Sequence, residues 1–232
     1  MALYAIGDLH LCLGAADKPM DIFGGVWQGY MEKLQKGMSV LQPEDTLVLA
    51  GDLSWALDLA GAGADFGWMN AIPGRKIILK GNHDYWWSTA AKFYKFCQEN
   101  QYENMFILNN NCYFYGDVAL CGTRGWFFEE ERSGQHDEKV FRRELMRLEA
   151  SLQAAGDKEK LCFLHYPPRY RGYTCQEILD LLKKYGVRRC YFGHLHGDSH
   201  KLAMEGLWDG VEYRLIAADY VNFTPVKIPL GE

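Results

Sequence analysis

The chain has 232 residues, 48% hydrophobic and 24% charged, with a formal net charge of −5. That length can bury a sizeable core without staples, and that composition excludes a disordered or fibrous chain. The acidic balance offers no electrostatic footprint for tight, sequence-independent nucleic-acid binding.

The seven cysteines form no C-x-x-C pair, so they read as reduced thiols rather than a zinc ribbon or a disulfide framework. The opening Met-Ala-Leu-Tyr-Ala-Ile-Gly-Asp lacks the basic flank of a signal peptide. Asp52 and Asp58 interrupt the best apolar stretch, which argues against a membrane span. The expectation is a cytoplasmic protein with no membrane partner. Its oligomeric state is not encoded in any pattern of the sequence.

In chain order, Leu3–Ile6 reads as a strand and residues 27–36 as a helix. Residues 46–50 and 76–79 read as buried strands, and Thr89 caps a helix running to about residue 98. Residues 105–108, 112–115 and 118–121 are closely spaced strands, with Asn109-Asn110 and Gly116-Asp117 as turns. Residues 138–155 form the clearest helix, on which Phe141, Leu145, Leu148 and Leu152 make an apolar stripe. Strands at 161–164, 189–192 and 213–217 follow, with a helix at 177–185 among them. This order predicts one α/β domain, residues 1–232. Parallel strands are joined by helices, and the middle of the chain adds antiparallel edges or a second sheet.

Five apolar strands run straight into residues that can hold a metal. Ile6 leads to Gly7-Asp8-Leu9-His10, and Ala50 to Gly51-Asp52. Lys80 leads to Gly81-Asn82-His83-Asp84, Leu164 to His165, and Phe192 to Gly193-His194-Leu195-His196. In open α/β sheets ligands bind beyond the carboxyl ends of the strands, so these tips are expected to converge on one crevice. Imidazole, carboxylate and amide oxygen make a borderline donor set suited to Mn, Fe or Zn, with no thiolate to select a softer ion. A single Gly-Asp after a strand is usually only a turn, and a lone His such as His165 is usually a satisfied polar residue. The conjunction of five tips outweighs those readings.

In these motifs the sequence resembles the calcineurin-like metallophosphoesterases, and within them a bacterial branch of predicted phosphohydrolases. The family pattern is D-x-H, G-D, G-N-H-D/E, a lone His and G-H-x-H, and residues 8–196 carry every position in order. The resemblance implies a four-layer sandwich of two mixed β-sheets flanked by helices. It implies two divalent or transition metal ions, one on Asp8, His10 and His196, the other on Asn82, His165 and His194. Asp52 bridges them and His83 is the catalytic histidine. The reaction implied is hydrolysis of a small phosphate ester by in-line attack of a hydroxide that bridges the metals.

His83 needs an acidic partner to orient it, with Asp84, Asp58 and Asp219 as candidates. Arg124, between glycines after an apolar strand, either takes phosphate oxygens of the substrate or makes a structural ion pair. Tyr85-Trp86-Trp87 and Trp126 either wall the substrate site or pack the core. His136 and His200 belong to no motif and are expected at the surface. Gly61-Ala62-Gly63 lacks the context of a dinucleotide loop.

Protein phosphatases of the family carry an Asp and an Arg-Gly after the second motif, where this chain has Leu53-Ser54-Trp55, and a Glu where it has Asp84. A phosphodiester substrate is therefore favoured over a phosphoprotein. The alternatives are a phosphomonoesterase, a nuclease, which would need a basic track, and a non-catalytic scaffold, which would have lost ligands.

Overall fold

The computed structural model describes residues 1–14, 18–126 and 135–230, with backbone alone at 135 and 136. The chain divides into two compact units, Met1–Ile107 with Ile216–Glu232, and Leu108–Leu215.

In the first unit β1 (Leu3–Ile6), β2 (Thr46–Leu49), β3 (Arg75–Ile78) and β4 (Met105–Ile107) lie parallel in that order. The C-terminal strand Val226–Lys227 adds an antiparallel edge beside β1. The crossovers carry helices α1 (Tyr30–Met38), α2 (Gly63–Ala71) and α3 (Ala90–Glu99). Parallel strands covered by helices need apolar residues on both faces, and β2 is buried along its whole length. Leu34, Phe66 and Phe93 bring α1, α2 and α3 into the same apolar core. The Thr89 hydroxyl caps α3 by accepting the Lys92 N–H at 3.2 Å, as its position before the helix predicts.

Two features of this unit differ from the sequence reading. Helix α1 starts later than residue 27, because Met20–Phe23 and Gly25–Trp27 wind as 3-10 turns. Gly24, Gly25 and Gly29 there take positive φ, which an α-helix does not accommodate. Helix α2 was not expected. Its two glycines lower its intrinsic preference for helix, yet Asp65, Phe66 and Met69 are buried.

The second unit holds β5 (Tyr113–Tyr115), β6 (Val118–Thr123), β7 (Glu159–Leu164), β10 (Arg189–Phe192), β11 (Gly206–Trp208) and β12 (Val211–Leu215). The sheet order is β11-β12-β10-β7-β6-β5, with four parallel strands inside and an antiparallel strand at each edge. A small hairpin, β8 (Arg169–Tyr170) with β9 (Tyr173–Thr174), stands apart from that sheet. Helices α4 (Gln135–Ala154) and α5 (Gln176–Lys184) complete the unit. Phe141, Leu148 and Leu152 of the expected stripe are buried and Leu145 is half-buried. His136 lies outside the residues whose side chains are described.

Two mixed sheets, each accompanied by helices, bear out the α/β expectation. Among the described residues no helix is long and apolar enough to cross a membrane.

Candidate active site

In the first unit three of the expected tips meet at the carboxyl ends of β1, β2 and β3. The loops after β1 and β2 run side by side. Asp8 N donates to Gly51 O and His10 N to Asp52 O, both at 2.9 Å. Leu11 N donates to Leu53 O at 2.9 Å, and Trp55 N returns a bond to Leu11 O at 3.0 Å. This ladder fixes Asp8 and His10 against Asp52.

The backbone is unusual at these positions. Asp8, His10 and Asp52 have φ of 60°, 47° and 52°, in the left-handed region that non-glycine residues rarely occupy. Such conformations cost of order 1–3 kcal/mol each and gather at functional sites. All three residues are buried. The His10 Nε2 lies 3.9 Å from the Asp52 Oδ2. That is too long for a hydrogen bond, and it suits two donors flanking one ion at about 2.0–2.2 Å each.

Asp84 organises this corner. Its carboxylate accepts N–H bonds from Gly81 (2.7 Å), Asp52 (2.9 Å), Leu53 (2.8 Å) and Ser54 (3.4 Å), and one from the Trp86 indole (2.8 Å). Burial pushes its carboxyl above the usual range, while the bonds from Gly81, Leu53, Trp86 and Ser54 pull it back. With its oxygens so engaged, Asp84 is a brace between the loops after β2 and β3 rather than an orienting partner of the His83 ring. Asp58 accepts the Gly61 N–H at 2.8 Å.

Gly81 allows the two loops to touch, since a Cβ there would stand 2.0 Å from Asp52 Oδ1 and 2.3 Å from Asp52 N. The other Asp52 contact runs to the next motif, where His83 N donates to Oδ1 at 2.8 Å. Asn82 and His83 are half-buried beside it.

Aromatic rings enclose the histidines. Trp55 stacks on His10 with centroids 4.9 Å apart and planes at 23°, and also meets His83 at 4.6 Å and 46°. Trp27 meets His10 edge-on at 5.9 Å. Trp86 is buried and packs on Phe66 and Phe93, so the core reading holds for that ring. Tyr85 is exposed, with its hydroxyl 3.4 Å from His83 Nδ1.

In the second unit His165 follows β7, and His194 and His196 follow β10. Gly193 N donates to His165 O at 3.1 Å, which ties the two tips together. The His165 and His194 rings lie 5.2 Å apart at 74°, and Tyr166 meets His194 at 4.6 Å. His194 repeats the left-handed signature with φ of 73°.

Arg124 lies on the same side of β7, where its carbonyl accepts N–H bonds from His165 (3.1 Å) and Tyr166 (2.9 Å). Its guanidinium reaches Glu144 at 3.5 Å, while Glu144 makes shorter bonds to Thr123 (2.7 Å) and Arg147 (2.6 Å). The ion pair anticipated as one alternative is thus present but long. Trp126 and Tyr166 lie 5.3 and 6.0 Å from this guanidinium. His200 lies in the turn Gly197–Leu202 and is half-buried rather than on the surface.

The donors fit divalent or transition cations. Each unit offers histidine nitrogens with their backbones held in place, the first adds carboxylates, and no thiolate is among them. Sequence reasoning missed the structural work of Asp84 and the placement of Trp55. The only signal was that Asp84 ends the third motif and Trp55 follows the second.

The calcineurin-like phosphoesterase family matches residues 1–198. No curated protein matches the sequence. The fold is similar to that of the phosphopantetheinyl hydrolase PptH from Mycobacterium tuberculosis, at 13% identity and a TM-score of 0.59, covering 98% of this chain and 95% of that one. It is also similar to AQ665, a protein of unknown function from Aquifex aeolicus, at 16% identity and a TM-score of 0.52, covering 97% and 95%. These likenesses concern the fold. The match over residues 1–198, carrying all five motifs, places the chain in the calcineurin-like phosphoesterase family, as a metal-dependent phosphoric ester hydrolase.

Proposed function

We propose that the chain hydrolyses small phosphodiesters with two metal ions, one on Asp8, His10 and His196, the other on Asn82, His165 and His194, with Asp52 shared between them. The observation that carries this reading is the left-handed backbone of Asp8, His10, Asp52 and His194. Among the described residues nine non-glycine positions have positive φ, and four of them are these donor residues at strand tips, where the strain has a use if their side chains must present donors to an ion.

When bound, two ions of this class neutralise phosphate oxygens and acidify a water enough to serve as nucleophile near neutral pH. The chain's residues supply the rest. Asp52 has its backbone N–H held by Asp84 and its Oδ1 held by His83 N, so its carboxylate is oriented before any ion arrives. His83 presents an imidazole beside that carboxylate and donates a proton to the leaving oxygen. Arg124 offers a guanidinium to the phosphate oxygens, its long bond to Glu144 being easily exchanged for a substrate contact.

The diester preference rests on how few fixed cations the motifs provide. A monoester dianion rewards more of them, and Leu53-Ser54-Trp55 supplies none where protein phosphatases have an arginine. The fold neighbour named as a phosphopantetheinyl hydrolase is compatible with a small substrate of this kind. The test is paired turnover of bis(p-nitrophenyl) phosphate, p-nitrophenyl phosphate and a phosphopeptide with manganese. The diester is expected to be fastest. A faster monoester replaces the reading with phosphomonoesterase, and a faster phosphopeptide overturns it.

A further inference from the structure

We infer that two copies of this chain pair through the outward faces of α4 and α5, across a two-fold axis that crosses both helices at right angles. The two helices lie in consecutive crossovers between the parallel strands β6, β7 and β10. Successive right-handed crossovers in one direction lie side by side on one face of a sheet and run the same way. Bonds near their carboxyl ends hold the two together. Lys184 Nζ meets Glu149 Oε1 at 2.7 Å, and the Tyr185 hydroxyl donates to the same oxygen at 2.9 Å.

A groove of about 510 Å³ runs between the helices, and its apolar residues are Leu145, Met146 and Leu181. Leu145 and Leu181 are half-buried, and Met146 is 71% exposed. Apolar side chains gain when water is removed from them, and the unbranched thioether of Met146 adapts to whatever covers it.

The charges around the groove say what covers it. Arg142 and Glu149 of α4 border it, seven residues apart and so on one face, about 10 Å from each other along the axis. Glu177 and Lys184 of α5 border it with the same spacing and the opposite order of sign. The proposed axis lays α4 antiparallel on α4 of the second copy, and α5 likewise on α5. Arg142 then faces Glu149 of the second copy, Glu177 faces Lys184 of the second copy, and each pairing occurs twice. The apolar residues close on their own counterparts between them.

An isologous contact requires a surface complementary to itself, a symmetry that a foreign partner does not impose. Neither spacing reveals this alone. The fold does, by setting α4 beside α5. Arg142 also pairs with Glu138 within α4 at 2.5 Å, and its five donors can serve both carboxylates. Asp180, also at the groove, accepts a bond from Gln176 within α5 at 2.8 Å. A small face with a charged rim suits a reversible dimer with a dissociation constant in the micromolar range.

Sedimentation velocity of the full chain tests the pairing. The wild type should pass from monomer to dimer across micromolar concentrations and grow no further. Met146→Asp, Arg142→Glu and Glu149→Arg should each raise the dissociation constant about tenfold or more, because each sets a charge in the apolar centre or like charges opposite one another. An equal mixture of Arg142→Glu and Glu149→Arg chains should recover the wild-type constant to within about threefold. In that mixed dimer the new glutamate faces the new arginine, and the natural Glu149 faces the natural Arg142.

A wild type that stays monomeric up to about 1 mM overturns the inference, as does growth beyond the dimer. A dimer unmoved by all three substitutions places the contact on another face and overturns it too. Variants that dissociate singly but do not associate when mixed overturn the two-fold pairing. Thermal unfolding shows whether each variant is folded. Should one of the α4 variants not fold, Glu177→Lys, Lys184→Glu and their mixture carry the same test on α5, with the same outcomes.

Discussion

The Asp84 carboxylate accepts the Asp52 N–H at 2.9 Å, so the last residue of one motif holds the backbone of the carboxylate in another. The same carboxylate receives Gly81, Leu53, Ser54 and Trp86, which makes it the joint between two loops. Asp84→Asn turns one acceptor into a donor that faces other donors. Leaving one such group unsatisfied costs about 1–3 kcal/mol. The expected outcome is a lower melting temperature together with weaker metal uptake, measured by thermal unfolding and by metal titration of the same sample. Unchanged uptake in a destabilised protein would confine Asp84 to the fold.

Asp52→Asn is expected to harm turnover more than His10→Ala or Asn82→Asp. As the shared carboxylate, Asp52 serves both ions, whereas His10 and Asn82 serve one each. Turnover at saturating manganese orders the three variants, and an Asp52→Asn enzyme of near-normal rate would remove Asp52 from the bridging position.

The motifs were legible because strand tips are short, local patterns: Gly7-Asp8, Gly51-Asp52, Gly81-Asn82 and Gly193-His194 each advertise a turn and a donor within two residues. The strands were legible for a similar reason, since runs such as Leu47-Val48-Leu49 have no polar face to confuse them. What the sequence concealed was work done across loops. Asp84 serves backbone groups some thirty residues earlier, and no local pattern reveals an acceptor whose donors are main-chain N–H groups. Trp55 was noticed only as a departure from protein phosphatases, because its stacking on His10 depends on the hydrogen-bonded loops bringing the residues together. Helix α2 was hidden by its glycines and by a lack of one-sided apolar periodicity.

Stability should fall as pH rises above the ordinary thiol pKa. Burial pushes the Cys97 thiol up to about 11, and raises Cys112, Cys121 and Cys175 as well. Cys162 is raised by its contact with Cys190 and by burial. An unfolded thiol ionises near about 8.5 while these stay protonated in the fold, so between those values the folded state holds more protons. Each fully buried thiol of this kind contributes stability that is fully present below 8.5 and falls by up to about 1.4 kcal/mol per pH unit as pH rises through the folded pKa. Lys76 opposes this, since burial lowers its pKa to about 8 and the unfolded state then holds the extra proton. One lysine does not offset several thiols. Melting temperature should decline between pH 8.5 and 10.5, less steeply in Cys97→Ala, and a flat profile would contradict the buried-thiol account.

Metal dependence of turnover with the number of ions counted tests the central claim most directly. Protein stripped of metal, shown to be folded and then titrated with manganese, should take up two ions per chain. Hydrolysis of bis(p-nitrophenyl) phosphate should be absent at the start and rise as the second ion binds. Full activity in the stripped protein, or a folded protein that takes up no metal, would contradict the account.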